Sequence, residues 1–291
     1  MLKFKKKQAV IIAVLYNTYF EACNFLESLC KFQNEDILVL IADNSEIKPT
    51  KEFEELVNNN VSIFKHFRLN RNLGYFGAAK FLLDEYLKEN SIPNWIIISN
   101  VDVKINQKDF FTVLFSKFNE TNNDIIAPQI WSMGKQCDLN PKMVSRPKKN
   151  KIILLNIISY FYIIQQGYEI LSFVKYEIKK YIKHLNKKIN WTRNILIPKE
   201  DMRNIYAPHG SFIIFKNTYF QKGGTINHIS FLFGEEIFIG ETAIENNLSV
   251  LYDPSLIVLD SEHASTGIMR NKLIAKFMKE STKDLYKKYF A

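Results

Sequence analysis

Over its first 130 residues the chain alternates between compact apolar runs and stretches whose apolar residues recur every three or four positions. The runs at 9–15, 37–42, 61–67, 95–99 and 124–128 read as strands, and the spaced stretches at 19–32, 50–59, 74–89 and 108–119 read as helices. Such βαβα alternation predicts an α/β fold around a mostly parallel, doubly wound sheet. The stretch WIIISNVDVKIN (95–106) is the sharpest case. Ile96, Ile97 and Ile98 suit a central strand covered on both faces, and the run then breaks into Asn100 and Asp102. Those two side chains point the same way if the chain is still extended there.

In open parallel sheets, ligands gather at the carboxyl ends of the strands. Here those ends carry Asn17, then Asp43-Asn44-Ser45, then Asn70-Arg71-Asn72, then Asn100 and Asp102. One polar strand end is ordinary, and Asp102 alone could cap the helix starting near Gln107 or turn the chain. Four in succession favour a nucleotide pocket. No G-x-G-x-x-G follows the first strand and no Walker-type Gly-Lys-Ser/Thr is present, which argues against dinucleotide enzymes and P-loop NTPases. In NRNLGYFGAAKF, Gly74 and Gly77 stand at a helix start, where they serve either close approach of a ligand or packing of helix on sheet.

The pattern changes at 150–189. That segment starts apolar all round and then turns amphipathic, with Leu171, Val174, Ile178, Ile182, Leu185 and Ile189 on one face and Lys175, Lys179, Lys183 and Lys187 on another. A helical subdomain packed on the core and a helix lying in a membrane surface both fit this pattern. The lysines alternate with aliphatic rather than stacking residues, which speaks against nucleic acid. Strand and helix patterns resume from residue 206, where YAPHGSFIIFK precedes a helix-like run led by Glu235-Glu236. Two short strands are expected to flank Asp253-Pro254, and 272–289 reads as a basic amphipathic helix. The divisions are therefore 1–133, an inserted 134–205, 206–267 and a C-terminal helix in 268–291.

Composition and charge sharpen this outline. With 291 residues, 47% of them hydrophobic, the chain can bury one large core or two small ones. Its three cysteines (Cys23, Cys30, Cys137) have no metal-type spacing and suggest no disulfide framework, so a reducing cytosol is expected. The basic start and the apolar run 9–16 imitate a signal peptide, but the run is short and lacks a cleavage site, so a first strand is the better reading. No clean stretch of about 20 apolar residues is present, which predicts no conventional membrane-spanning helix. Between Gly134 and Tyr206 lie fifteen Lys/Arg and five Asp/Glu, a balance of +10 against +9 for the whole chain. The basicity belongs to the inserted segment.

Seven motifs in order then carry a resemblance: AVLYN, IADNSE, NLGYFGAA, SNVDV, HGSFIIFK, FGEEIF and EHAST. In this order they resemble the inverting, nucleotide-sugar-dependent glycosyltransferases with the GT-A fold, glycosyltransferase family 2-like, of the bacterial capsule and O-antigen type. The resemblance covers 8–133 and 206–267, roughly two-thirds of the chain, and leaves out the basic insert. It implies a nucleotide-diphosphate sugar as donor and a glycan or glycolipid as acceptor. Asn17, Asp43, Asn44, Ser45, Asn72, Gly74, Asn100 and Asp102 would lie around the donor. A Mg2+ or Mn2+ ion would be held by Asp102, with His263 as a further metal ligand or a phosphate ligand unless that histidine is structural. Asn100 stands where the family's metal motif has Asp, often Asn in this branch, and can only offer a neutral oxygen or orient a water.

Transfer by direct displacement needs a base for the acceptor hydroxyl. The resemblance assigns this to the acidic pair, with Glu236 at the usual base position and Glu235 as the alternative. Two acids at a helix start also suit the helix dipole. His209, Gly210 and Ser211 would face the acceptor. The implied setting is the inner face of a bacterial membrane, with the protein peripheral to an anionic surface and no nucleic-acid partner. Two rival readings are a non-catalytic membrane-peripheral scaffold and a nucleotidyltransferase. The second is opposed by the lack of a Gly-rich, Lys-containing loop near the N-terminus.

Overall fold

A computed structural model describes residues 7–33, 35–119, 121–160, 201–261 and 272–291. A 10-stranded sheet runs through the described chain in the order β3-β2-β1-β4-β9-β6-β10-β5. Strands β1 (Ala9–Leu15), β2 (Ile37–Asp43), β3 (Phe64–Arg68) and β4 (Trp95–Asn100) are parallel. β9 (Phe212–Lys216) lies antiparallel between β4 and β6 (Ile125–Ser132). β10 (Val250–Asp260) is parallel to β6, and the two-residue β5 (Val103–Lys104) closes that edge antiparallel to β10. The short strands β7 (Cys137–Asp138) and β8 (Arg203–Asn204) pair with β6 and β10.

The near-continuous apolar runs follow from coverage on both faces. In β1, Ala9, Ile11, Ala13 and Leu15 enter one hydrophobic cluster, while Val10 and Ile12 enter the other. The first cluster packs against α1 (Tyr19–Cys30), α2 (Lys51–Asn59) and α4 (Phe110–Phe118) through Phe25, Phe53 and Phe110. The second packs against α3 (Tyr75–Leu87) and, further along the chain, α7 (Glu235–Glu245), through Phe76 and Phe238. α5 (Lys149–Tyr160), α6 (Asn217–Gln221) and α8 (Lys272–Leu285) complete the helices, and a π-helical turn (Tyr286–Phe290) ends the chain.

Several boundaries depart from expectation, and β6 runs to Ser132, four residues past its expected end at 128. β3 starts at Phe64 because Asn60 ends α2 and its carbonyl accepts from Ile63 and Phe64, holding 61–63 in a turn. The two strands expected around Asp253-Pro254 are a single strand of 11 residues. Its pairing with β6 shifts between Asp253 and Ile257, and Pro254 sits in that irregularity, where the ladder needs no amide from it. Within 134–205, β7 folds back onto β6 and α5 packs on α8. Most of the lysine-faced helix expected there falls in 161–200, outside the described residues. Among those described, no helix is long and apolar enough to cross a membrane. Cys23, Cys30 and Cys137 are in no disulfide.

Candidate functional site

The carboxyl end of β4 delivers Asn100 and Asp102. The Asn100 N–H donates to the Ser211 carbonyl at 2.9 Å, which ties this strand end to the entry of β9. Asp102 is held through its backbone, since Ser261 donates to its carbonyl from N–H at 3.0 Å and from Oγ at 2.9 Å. Its side-chain Oδ1 is buried and has no hydrogen-bond partner among the described residues. Burial first, and the negative charge of Asp260 second, push the carboxyl up to about 6, with the Asn100 side chain pulling the other way. A buried, unpaired carboxylate oxygen is expensive to keep in a protein. It is also a hard oxygen donor of the kind Mg2+ and Mn2+ take, so the residues present fit a divalent cation. His263 lies outside the described residues, and among those described no cluster of three metal-ligating side chains forms. Asp260, the buried last residue of β10, was not singled out from sequence. Only its place as the first acid after LIVL (256–259) hinted at it.

The expected donor residues form a knitted loop cluster beside this corner. Asp43 is fully buried and accepts from Tyr19 Oη at 2.8 Å, from the Ser45 N–H at 2.9 Å and from His66 Nε2 at 2.9 Å. Burial alone would raise its carboxyl, but the bonds from His66, Ser45 and Tyr19 outweigh that and hold it below the usual range. Asn17 adopts φ 57° and its amide oxygen accepts from the Glu46 N–H at 3.0 Å, while its own N–H donates to Ser45 Oγ at 2.8 Å. Asn44 grips the next loop twice, donating from Nδ2 to the Gly74 carbonyl at 3.0 Å and accepting from the Leu73 N–H at 3.0 Å. Asn72 Oδ1 accepts from the Gly74 N–H at 2.9 Å. These amides therefore shape loops at the strand ends. Gly74 is required there, because a Cβ would sit 2.0 Å from the Phe231 carbonyl oxygen.

Opposite stands the acidic pair, at the first turn of α7. Glu235 is buried, and burial followed by the charge of Glu236 pushes it up to about 8. Glu236 keeps 18% of its side chain accessible, and Lys142 Nζ lies 3.5 Å from its Oε1. Burial opposes its ionisation, but Lys142 and His209 together hold it below the usual carboxylate range. One neutral and one ionised carboxyl therefore stand side by side near neutral pH. Gly210 lies against the Glu236 carboxylate, with 3.5 Å between Oε1 and the place of a Cβ. His209 Nδ1 and Ser211 Oγ are 2.9 Å apart, and the His209 N–H donates to Asn140 Oδ1 at 2.7 Å. The structure thus brings His209, Gly210 and Ser211 beneath the acids and next to Asn100. Sequence reading missed Lys142, which a turn and an isolated bridge between Met143 and Ala207 carry to Glu236. It also missed Tyr75, whose hydroxyl donates to the Gly210 carbonyl at 2.7 Å.

No protein-family model and no curated protein matches this sequence. Solved structures do. A crystal structure of GalNAc-T7 with UDP, GalNAc and Mn2+ superposes with a TM-score of 0.57 at 11% identity, covering 98% of this chain and 50% of that one. S. aureus TarS superposes with a TM-score of 0.51 at 13% identity, over 87% of this chain and 36% of that one. The fold is GT-A. The chain spans half the length of the GalNAc-T7 chain and little more than a third of TarS.

Proposed function

We propose that this GT-A chain is a metal-dependent inverting glycosyltransferase. It would move a sugar from a nucleotide-diphosphate donor to a hydroxyl of a glycan or glycolipid acceptor of the surface-polysaccharide type. One observation carries the reading. The Asn100 N–H holds the Ser211 carbonyl at 2.9 Å and the adjoining Gly210 lies against Glu236, so the strand end that carries Asp102, with its unpartnered Oδ1, meets the segment that seats the acid pair. A metal-type carboxylate and a candidate base joined through one backbone segment is the arrangement that displacement at a sugar carbon needs.

Within this reading the loops ending β1, β2 and β3 bind the nucleotide, and Asp102 holds the cation, with His263 as a further ligand. A bound cation supplies positive charge against that developing on a departing diphosphate. Glu236 accepts the proton of the acceptor hydroxyl as that oxygen forms its bond to the anomeric carbon. The bond to the diphosphate breaks on the opposite face, so the configuration inverts. Lys142 and His209 keep Glu236 ionised and therefore able to accept. Glu235 keeps its proton, which limits the pair to a single negative charge.

A screen of UDP-, dTDP- and GDP-sugars with Mn2+ by thermal unfolding tests this. The right donor at about 100 times its Kd stabilises by about 2.7 kcal/mol. Asp102→Ala is expected to abolish the metal-dependent part of that shift and the transfer itself, with the fold intact. Turnover near the wild-type level by Asp102→Ala in chelator-treated buffer would overturn the metal assignment. Metal-dependent donor binding with no turnover on any acceptor, or water, would make the chain a non-catalytic binding protein.

A further inference from the structure

Tyr75 is the first residue of α3, and no step described above uses it. Its backbone is held from the nucleotide side. Asn44 clamps Leu73 and Gly74 from both directions, and Asn72 accepts from the Gly74 N–H. Gly74 itself passes under the Phe231 carbonyl with no room for a Cβ. From this fixed base the tyrosine reaches across the sheet and donates to the Gly210 carbonyl at 2.7 Å. The peptide it grips is the floor under Glu236, since Gly210 lies against that carboxylate. The next carbonyl along, that of Ser211, is held by the Asn100 N–H of the metal corner at 2.9 Å. Two adjacent carbonyls are thus pinned from two directions, one by the nucleotide-side loop and one by the strand that ends in Asp102.

We propose that Tyr75 is a positioning residue: its hydroxyl fixes the Gly210 carbonyl, and with it the seat of Glu236, to the loop that lies on the nucleotide side. This inference rests on the glycosyltransferase reading and adds to it a physical link between donor loop and base. The ring alone does not supply the link. It packs against Phe76, with centroids 5.4 Å apart, and a phenylalanine would pack there equally well. The hydroxyl stays a donor at any working pH, because burial and the surrounding carboxylates oppose its ionisation. With that donor gone, the Gly210 carbonyl is left short of a partner in a half-buried place. The His209–Ser211 turn then has one anchor fewer, and Glu236 loses its fixed seat. Misplacing a catalytic group by about 1 Å costs on the order of 10²-fold in rate.

Tyr75→Phe is the test, with Tyr75→Leu as the variant that also removes the ring. In Tyr75→Phe, kcat is expected to fall 10- to 100-fold, with donor KM and Kd for nucleotide with Mn2+ unchanged and the melting temperature lowered by only a few degrees, as one lost hydrogen bond would do. A loss expressed only in KM, or an unchanged kcat, overturns the proposal. A second measurement needs no turnover. Amide exchange in the ligand-free protein is expected to quicken at Gly210 and Ser211 at least tenfold in Tyr75→Phe, with the core strands unaffected. The carboxyl resonance of Glu236, followed by NMR against pH, is expected to titrate at a different midpoint. If neither the exchange nor the titration moves, Tyr75 does not seat Glu236, whatever the activity. If the wild type turns over no nucleotide sugar while both measurements move, the link stands and the glycosyltransferase reading fails.

Discussion

Two neighbouring glutamates that the sequence makes equivalent are separated by their surroundings. Glu235 lies inside the protein and is pushed up to about 8, whereas Glu236 faces Lys142 and is held low. At neutral pH Glu235 is a neutral acid, so Glu235→Gln is nearly isosteric and isoelectronic with what is already there, and turnover is expected to stay near wild type. Glu236→Gln removes the acceptor of the proton and is expected to lower kcat about 10²–10⁴-fold, with donor affinity little changed. The reverse pattern would transfer the base role to Glu235. The same pair sets a pH dependence of stability. A carboxyl whose folded value is raised favours the folded state most below its unfolded value, near 4.3, and loses that advantage as pH rises through about 8. Stability is therefore expected to decline across that window, and Glu235→Gln to flatten the decline in melting temperature measured from pH 5 to 8. An unchanged slope would show that Glu235 ionises normally. At this scale the acids, the Asn100/Asp102 pair and the polar strand ends were legible, because each is a chemical type at a local position. Lys142, Tyr75 and Asp260 were not, because their importance arises from what lies opposite them after folding. Tyr75 and Gly210 are 135 residues apart.

At the level of elements, alternating periodicity located the early strands and helices, because sheet burial on both faces and helix burial on one write different repeats. What it could not see was pairing. Nothing local distinguishes β9, antiparallel at the centre of the sheet, from its parallel neighbours. Asp253-Pro254 reads as a break, yet β10 runs through it, because Lys117 pairs with the buried Asp253 at 2.6 Å and the proline sits where the register slips. The α3 start shows the same limit. Gly74 and Gly77 look alike in NLGYFGAA, but their surroundings differ. Gly74 has φ 74° and ψ −169°, a region open almost only to glycine, and a Cβ would meet the Phe231 carbonyl at 2.0 Å. Gly77 is helical, and a Cβ there meets only Leu73 Cβ at 3.5 Å. Gly74→Ala is expected to destabilise by at least about 1–3 kcal/mol in urea unfolding. Gly77→Ala is expected to be neutral or to stabilise by up to about 1 kcal/mol. Equal effects would mean that the contact between the 231 loop and α3 is not formed in solution.

Across the whole molecule, net positive charge is concentrated on one part of the chain. Residues 134–206 hold a balance of +10, so the rest of the chain is near −1. The described part of that segment shows how its helix is used. α5 buries Ile152 at 1% exposure, and it packs on α8. Its other side leaves Leu154 and Ile157 more than half exposed, with Lys148, Lys149 and Lys151 exposed at its start. Exposed leucine and isoleucine beside lysines suit a surface that is apolar beneath and anionic above, which is the chemistry of a bilayer containing acidic lipid. Each lysine near such a surface contributes about 1 kcal/mol, and the attraction weakens as salt shortens its range. A lipid-linked acceptor would give this attachment its purpose, since a GT-A domain must then work at the plane where its acceptor lies. The protein is expected to co-sediment with phosphatidylglycerol-containing vesicles at low salt and to release as salt rises. Leu154→Ser with Ile157→Ser is expected to weaken the binding without lowering the melting temperature, because both side chains already face solvent. Equal partitioning onto neutral and anionic vesicles would remove the electrostatic half of the argument. Failure to partition onto either would leave α5 as a helix that packs on α8, with Lys148, Lys149 and Lys151 solvated.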